Sequence, residues 1–226
     1  MQVQQFLEPL HIQSLLPMQE ATLTASRDHE KIILLSATGS GKTIGYLLPV
    51  LEKMKRDQKG TRSLVIVPTR ELALQIEKVF RKMNTGFTVT CCYGGHKREI
   101  EENNLVEAPS LIIGTPGRLA DHIRRGNINT SGINQLVLDE FDKMMEFGFE
   151  EELSFILQSL PAVSFRLLVS ATEAVSLPGF VDVAGHTLNF LSGEAAAGLQ
   201  LFYLKAGSAD KLEPLFQLLC TWGGRS

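Results

Sequence analysis

Short apolar runs of strand-like composition alternate with segments of helical period along most of this chain. The runs are KIILLSA (31–37), SLVIVP (63–68), VTCCYGG (89–95), SLIIGTP (110–116), NQLVLDE (134–140), FRLLVSAT (165–172) and TLNFL (187–191). Several are apolar without polar alternation, as strands are when helices cover both of their faces. The pattern predicts an α/β fold in which a parallel β-sheet is flanked by helices on both faces.

The length and composition allow one large core, or one core and a fragment of another. The chain has 226 residues, of which 44% are hydrophobic and 21% charged. Its apolar runs are far shorter than the roughly 20 residues that a transmembrane helix needs. The amino terminus lacks the basic start and apolar core of a secretory signal. We therefore expect a cytoplasmic protein without a membrane segment.

Charge and cysteine content exclude few functions. A net charge of −3 argues against a globally basic nucleic-acid-binding protein but leaves room for a local basic groove. The odd cysteine count fits a reducing compartment. Cys91 and Cys92 are expected to be small buried hydrophobes rather than metal or redox groups.

The polar motifs of the sequence follow the predicted strands directly. In chain order these motifs are ATGSGKT, PTREL, GG, TPGRL, DEFD and SAT. Ligands of open parallel sheets bind outside the carboxyl ends of the strands. The sequence therefore predicts that these motifs converge on one site.

SATGSGKT at 36–43 stands between a predicted buried strand and a predicted helix, which is the context of a phosphate-binding loop. Its glycines allow backbone N–H groups to surround phosphate oxygens at a helix amino terminus. Lys42 supplies a positive charge to the β- and γ-phosphates, and the Thr43 hydroxyl can ligate Mg²⁺. The predicted nucleotide-binding residues here are Thr38, Gly39, Ser40, Gly41, Lys42 and Thr43. Ser36 departs from the general pattern, which has glycine at that position.

LVLDEFD at 136–142 ends a second buried strand in adjacent carboxylates. Asp139 is suited to hold Mg²⁺ through water, and Glu140 to orient and deprotonate an attacking water. Such a cluster alone is commonly a solvated loop. Together with Lys42 of the phosphate loop, the two carboxylates predict a catalytic set for nucleotide hydrolysis.

The order of the motifs is similar to that of a known family. The chain carries PMQEAT (17–22), ATGSGKT (37–43), PTREL (68–72), GG (94–95), TPGRL (115–119), DEFD (139–142) and SAT (170–172). This series resembles the amino-terminal RecA-like domain of DEAD-box RNA helicases across nearly all of residues 6–190. The resemblance implies a RecA-like P-loop NTPase fold, ATP and Mg²⁺ as cofactors, and ATP hydrolysis coupled to RNA binding and duplex unwinding.

The resemblance also implies roles for single residues. Gln19 matches the glutamine that binds the edge of adenine, a task suited to an amide because it both donates and accepts. The positions that match those holding one RNA strand by its backbone, independently of sequence, are Thr69, Arg70, Gly94, Gly95, Thr115, Gly117 and Arg118. Ser170 and Thr172 match a motif that couples hydrolysis to strand separation, and we expect them to hydrogen-bond toward Asp142.

Three departures from the family pattern stand out. Phe141 occupies the place of the usual alanine in the acidic tetrad. At the usual position of an aromatic residue that stacks on adenine, this chain has Gln2, so either Phe6 or His11 substitutes for it or the stack is absent. Ser36 and Ala37 replace alanine and glutamine at the entrance of the loop, which we expect to be tolerated.

The sequence predicts a domain boundary near residue 192. Residues 1–191 form the predicted RecA-like ATP-binding domain, and the glycine-flanked segment 192–198 reads as a linker. Residues 199–226 have the composition of one strand, at 199–206, and one helix, whose apolar spacing covers 209–222, as expected for the truncated start of a second RecA-like domain. That second domain would supply arginines to the γ-phosphate, so a chain ending at Ser226 is expected to bind nucleotide and barely hydrolyse it.

Two other functions remain open from the sequence. A DNA helicase or translocase shares the phosphate loop and the acidic pair, although it is not expected to combine them with PTREL, TPGRL and SAT in this form. A catalytically idle clamp for RNA or a protein partner is suggested by Phe141 and the incomplete adenine site. ATP hydrolysis measured with RNA and with DNA distinguishes the three.

Overall fold

A computed structural model describes residues 3–57, 59–95, 97–173, 178–181, 185–191, 205 and 211–222. The chain divides into two compact units, Met1–Ser192 and Gly193–Ser226. Across the described ranges, no helix combines the length and apolar composition that crossing a bilayer requires.

The described residues of the first unit contain a parallel β-sheet of seven strands. They are β1 (Lys31–Ser36), β2 (Ser63–Ile66), β3 (Val89–Cys92), β4 (Leu111–Gly114), β5 (Gln135–Leu138), β6 (Phe165–Ser170) and β7 (His186–Phe190). Their order across the sheet is β3-β4-β2-β5-β6-β1-β7, and the adjacent strands pair in parallel. Each strand overlaps one of the apolar runs, so the predicted α/β fold with a parallel sheet is confirmed.

The described α-helices of the first unit either precede β1 or connect the strands. They are α1 (Gln4–Leu7), α2 (Pro17–Asp28), α3 (Lys42–Lys53), α4 (Arg70–Lys82), α5 (Arg98–Val106), α6 (Pro116–Arg124), α7 (Phe141–Glu146) and α8 (Glu150–Gln158). Their starts follow from the sequence. Pro17 and Pro116 occupy first helical positions, where proline's missing N–H costs nothing, and the Thr69 hydroxyl accepts a hydrogen bond from the backbone N–H of Leu72 at 3.2 Å.

Each face of the sheet is covered by its own apolar core. Alternate side chains of β2 serve the two cores: Val65 belongs to the cluster that includes Phe80 of α4, whereas Leu64 belongs to the cluster that includes Leu119 of α6 and Ile156 of α8. These five side chains are at most 1% exposed. Because burial of each such side chain contributes about 1.5–3 kcal/mol, the central strands are held firmly and the loops at their ends are well positioned.

The described helix of the second unit is α9 (Leu212–Trp222). It lies within the segment 209–222 whose apolar spacing predicted a helix. The predicted linker at 192–198 lies outside the described residues, as does the predicted strand at 199–206 except for Lys205. The domain boundaries therefore stay predictions.

Candidate functional site

The predicted motifs follow strands that end at one edge of the sheet, called the carboxyl edge below. Leu35 near the end of β1 pairs with Ser170 at the end of β6, and Ile66 at the end of β2 pairs with Leu138 at the end of β5. The loops that follow these strands therefore start side by side. This is the position at which parallel α/β sheets bind their ligands.

The loop between β1 and α3 has the backbone conformation that its glycines allow. The φ angle is +80° at Gly39 and +85° at Gly41, a region that side chains disfavour. A Cβ atom built on Gly39 would have no described atom within 4 Å, so space beside the loop is open to an anion at the helix amino terminus. The Ser36 and Ser40 hydroxyl oxygens lie 2.7 Å apart, so the serine that departs from the general pattern connects the start of the loop to its middle.

Lys42 and Asp139 are buried at the carboxyl edge, at 7% and 3% exposure. The Lys42 ammonium nitrogen is buried and has no hydrogen-bond partner among the described residues. Burial raises the pKa of Asp139 to about 6, even though the nearby charge of Lys42 acts to lower it. An unpartnered buried ammonium is costly, so this geometry fits an additional anion such as a phosphate.

The remaining polar groups around Asp139 leave it suited to a metal-bound water. One carboxylate oxygen, Oδ1, accepts a hydrogen bond from the backbone N–H of Glu140 at 2.9 Å. Glu140 itself is half-buried and has φ +50°, a left-handed conformation of the kind that concentrates at functional sites. Tyr46 of α3 is fully buried nearby, and burial, followed by the charge of Asp139, raises its pKa well above the ordinary value.

Gln19 is 3% exposed and connects α2 to the phosphate loop. Its Oε1 accepts a hydrogen bond from the backbone N–H of Leu16 at 2.9 Å, and its Nε2 donates to the carbonyl oxygen of Gly41 at 3.0 Å. The amide oxygen and nitrogen each retain capacity for one further hydrogen bond. The predicted contact with adenine thus stays a prediction, and the structure adds a second contact that the sequence did not indicate.

The candidates for an adenine-stacking aromatic differ in exposure. Phe6 is 7% exposed and packs in the apolar core that includes Met18. His11 is exposed and has φ +59°, at the end of a short 3-10 helix. Of the two, only His11 presents its side chain to solvent.

The residues predicted to bind RNA lie in three loops that follow β2, β3 and β4. In the first two loops, Thr69 caps α4 with its hydroxyl, while Arg70, Gly94 and Gly95 are exposed. A Cβ atom on Gly95, where φ is +84°, would lie 3.7 Å from an Nη atom of Arg70. The structure therefore brings these two predicted sites together on the surface.

The third loop contains Thr115, Gly117 and Arg118, at the start of α6. Thr115 is half-buried and Gly117 is exposed, with no described atom within 4 Å of a Cβ built on it. The Arg118 side chain is only 13% exposed. Its Nε donates to the carbonyl oxygen of Tyr93 at 3.2 Å and lies 3.4 Å from the Oε2 atom of Glu101. Arg118 therefore has a structural task in addition to the predicted one.

The residues predicted to couple hydrolysis to strand separation make different contacts. The Thr172 hydroxyl donates to the Oδ2 atom of Asp142 at 3.5 Å. The Ser170 hydroxyl instead donates to the carbonyl oxygen of Thr172 at 2.9 Å. The other carboxylate oxygen of Asp142 is buried and has no partner within the described part of the chain. Their coupling role stays a prediction.

Phe141 is accommodated by the core rather than by the site. It starts α7 and is 0% exposed within the apolar cluster that contains Met144 and Leu168. Because its ring is in the core, the neighbouring carboxylates Asp139 and Glu140 keep their places at the carboxyl edge. The substitution is thus no argument for an idle site.

A buried polar network that was not predicted from the sequence lies beside the loops after β3 and β4. Glu101 of α5 and His122 of α6 are both 0% exposed, and His122 Nε2 lies 2.8 Å from Glu101 Oε2. A detectable signal was present. Glu101 lies four residues before the buried Leu105, so it stands on the apolar side of its helix, where a carboxylate requires partners.

Comparison with known proteins agrees with this geometry. The family model described as DEAD/DEAH box helicase matches residues 16–177. The chain is 38% identical over 159 residues to the ATP-dependent RNA helicase DeaD of Buchnera aphidicola, covering 69% of this chain and 26% of the relative. It is 35% identical over 230 residues to the DEAD-box ATP-dependent RNA helicase CshA of Geobacillus kaustophilus, covering 96% of this chain and 48% of the relative.

Solved structures show the same fold. A hypothetical ATP-dependent RNA helicase from Sulfolobus tokodaii aligns with a TM-score of 0.69 and 29% identity, covering 79% of this chain and 51% of that one. The chain thus spans about a quarter to a half of the length of these relatives. The matched family model covers the phosphate loop, the acidic tetrad and the SAT motif together. The chain belongs to the DEAD/DEAH box helicase family.

Proposed function

We propose that this chain is the ATP-binding part of an ATP-dependent RNA helicase, in which ATP binding and hydrolysis are coupled to RNA binding and duplex unwinding. Support comes from its family, from relatives named as ATP-dependent RNA helicases, and from the convergence of the motifs on the carboxyl edge. The names of these relatives favour RNA over DNA.

The observation that carries the proposal is the buried Lys42 ammonium, which lacks a hydrogen-bond partner among the described residues. Lys42 follows two glycines with positive φ, and its charge is close to Asp139, the residue directly after β5. A phosphate oxygen would satisfy this ammonium, and backbone N–H groups of residues 38–43 would bind the other phosphate oxygens.

The oxygen ligands that this site offers suit Mg²⁺. The Thr43 hydroxyl and, through water, the Asp139 carboxylate would hold it, because this ion prefers oxygen ligands and retains waters. When bound, Mg²⁺ would neutralise negative charge on the phosphates. Glu140 is half-buried beside Asp139 and would orient and deprotonate the attacking water. Gln19 would hydrogen-bond adenine with the capacity left on its amide.

RNA would be bound by its backbone along the loops after β2, β3 and β4. The exposed Arg70 and the open surface at Gly94, Gly95 and Gly117 suit phosphate contacts that are independent of sequence. The second RecA-like domain expected of a helicase would complete the site, so the activity is proposed for the whole protein.

The nucleotide part of the proposal is tested by calorimetric titration of the 226-residue chain with ATP and ADP, with and without Mg²⁺. Lys42→Met keeps the aliphatic stem but removes the charge, and is expected to weaken binding by at least about tenfold. The matched control is Lys55→Ala, because Lys55 is exposed just beyond the end of α3. Equal affinity of the wild type and Lys42→Met would contradict the proposed site.

A further inference from the structure

One group of polar residues, centred on two buried side chains, is not used by the proposed nucleotide chemistry. It is called the Glu101 network and consists of Tyr93, Glu101, Arg118, His122 and Asn127. It lies between the loop after β3 and the amino-terminal part of α6. Glu101 and His122 are 0% exposed, so placing them there has a large desolvation cost.

Glu101 uses both carboxylate oxygens in this network. Oε1 accepts a hydrogen bond from the backbone N–H of Tyr93 at 3.0 Å. Oε2 lies 2.8 Å from His122 Nε2 and 3.4 Å from Arg118 Nε. Arg118 Nε also donates to the carbonyl oxygen of Tyr93. One carboxylate therefore contacts both Tyr93, which precedes Gly94 and Gly95, and Arg118 of residues 115–118 after β4, called the TPGR loop.

The donor and acceptor roles of the two His122 ring nitrogens follow from their neighbours. Asn127 Nδ2 lies 3.1 Å from His122 Nδ1, and an amide nitrogen can only donate, so Nδ1 accepts. The ring proton is then on Nε2 and is donated to Glu101. Burial acts to raise the pKa of Glu101, but the hydrogen bonds from His122 and Tyr93 and the charge of Arg118 outweigh it and hold the pKa below the usual range.

A metal site is a less suitable interpretation of the same side chains. Cys92, Glu101 and His122 offer ligand atoms within 4.8 Å of one another. Burial, with the charge of Glu101, raises the pKa of the Cys92 thiol and so disfavours the thiolate that binds metals. The His122 nitrogen nearest to Glu101 carries a proton, and Arg118 already supplies a cation. The geometry is that of a hydrogen-bonded support.

We propose that Glu101, supported by His122, is a positioning residue that holds the loop after β3 and the TPGR loop in register for binding the RNA backbone. This inference rests on the proposed function. Glu101 does not itself contact RNA, because its side chain is fully buried. Its effect is transmitted through the Tyr93 backbone, which directly precedes the predicted RNA contacts Gly94 and Gly95, and through Arg118, which is itself a predicted RNA contact.

The direction in which a substitution of Glu101 changes the RNA affinity distinguishes a positioning role from a purely electrostatic one. A carboxylate near phosphates repels them, so removal of its charge should strengthen RNA binding if charge alone matters. Removal of a positioning residue should weaken binding instead. Glu102 provides a matched control, because it is the next residue of α5, is only half-buried, and is contacted by Asn127.

The experiment measures binding of a fluorescently labelled oligouridylate to the 226-residue chain by anisotropy at several salt concentrations, with ADP binding as the control for folding. Glu101→Ala is expected to weaken RNA binding about tenfold. The slope of log K against log salt should fall by about 0.7 for each phosphate group that the variant no longer neutralises. Glu101→Gln should restore affinity to within about threefold, because its amide oxygen can accept from the Tyr93 N–H. Glu102→Ala and the ADP affinity of all variants should match the wild type.

A second variant covers the case in which Glu101→Ala does not fold. His122→Phe keeps the ring volume but removes the hydrogen bond to Glu101, so RNA binding should weaken about threefold with ADP binding intact. Hydrogen exchange of the Tyr93 amide should accelerate in the variants that break the network.

The outcomes separate the two proposals. If the wild type binds RNA but folded Glu101→Ala or His122→Phe binds it as well or better, the positioning role is refuted and the proposed function stands. If the wild type does not bind the oligouridylate, both the RNA part of the proposed function and this inference fail.

Discussion

Replacement of Asp139 by asparagine is expected to make the metal-free fold more stable at neutral pH. The carboxylate is 3% exposed beside the phosphate loop, and burial raises its pKa to about 6. Asparagine has nearly the same shape and keeps an oxygen that can accept the hydrogen bond from the Glu140 N–H. The substitution thus removes a buried charge while leaving the packing in place.

The size of the effect follows from the shift in pKa. A pKa of about 6 in the fold, against about 3.9 for an unfolded aspartate, lowers the free energy of unfolding by about 3 kcal/mol when the group is ionised. The raised pKa of Asp139 already includes its attraction to Lys42. The value of about 3 kcal/mol therefore accounts for the loss of this attraction in Asp139→Asn. Because the pKa is raised in the fold, the penalty is complete above pH ~7 and disappears as the pH falls from about 6 to about 4.

The assay is urea and thermal unfolding of both proteins in buffer with a metal chelator. At neutral pH, Asp139→Asn should unfold roughly 6–12 °C above the wild type. The difference should shrink toward zero on acidification, while acid effects elsewhere in the chain are common to both proteins. Glu140→Gln is the control: this neighbouring carboxylate is half-buried, so its neutralisation should change stability far less.

Two results would refute this reasoning: a variant that is no more stable than the wild type at neutral pH, or a stability difference that does not change with pH. Addition of Mg²⁺ and ADP provides a further check. The ligand should stabilise the wild type more than Asp139→Asn, since the carboxylate that destabilises the empty fold is proposed to hold the ion.

Three further predictions concern other features of the site. Gly41→Ala should weaken ADP binding and lower the unfolding free energy by about 1–3 kcal/mol, because φ is +85° and the new Cβ would lie 2.7 Å from Gln19 Nε2. Gly39→Ala has open space at its Cβ, so urea titration should show a smaller loss of unfolding free energy. Phe141→Ala should lower the unfolding free energy by about 3–5 kcal/mol with ADP affinity unchanged, since the ring is in the core; a large loss of affinity in the folded variant would contradict this. Glu140→Gln should lower turnover about 10²–10⁴-fold while ATP binding persists, in a form of the protein that shows RNA-stimulated hydrolysis; retained hydrolysis would exclude the assigned base.

The strands and the phosphate loop could be predicted because their signals are local. A buried parallel strand needs a continuous apolar run, and a phosphate loop needs glycines and a lysine at fixed spacing, so β1 and Lys42 are both evident in the sequence. The placement of the motifs on one edge followed from the rule that parallel strands present their carboxyl ends together. The family was identified from the same local motifs.

The contacts of single side chains could not be predicted, because they join elements distant in sequence. Gln19 hydrogen-bonds to Gly41, which is 22 residues later in the sequence, and Glu101 hydrogen-bonds to His122, which is 21 residues later. The Arg118 side chain contacts both Tyr93 and Glu101, which come from earlier parts of the chain. Phe141 attracted attention as a departure from the family pattern, but only the three-dimensional core shows where its ring is placed.

The hydrogen bond from Gln19 to Gly41 has a consequence for how nucleotide specificity should be measured. Because the amide that is proposed to bind adenine also donates a hydrogen bond to Gly41 of the phosphate loop, we expect base recognition and phosphate affinity to be thermodynamically linked, in which case each changes the other by the same factor. Substitution of Gln19 would therefore weaken binding of inorganic pyrophosphate, which has no base. The additional loss seen with ATP measures the contribution of adenine.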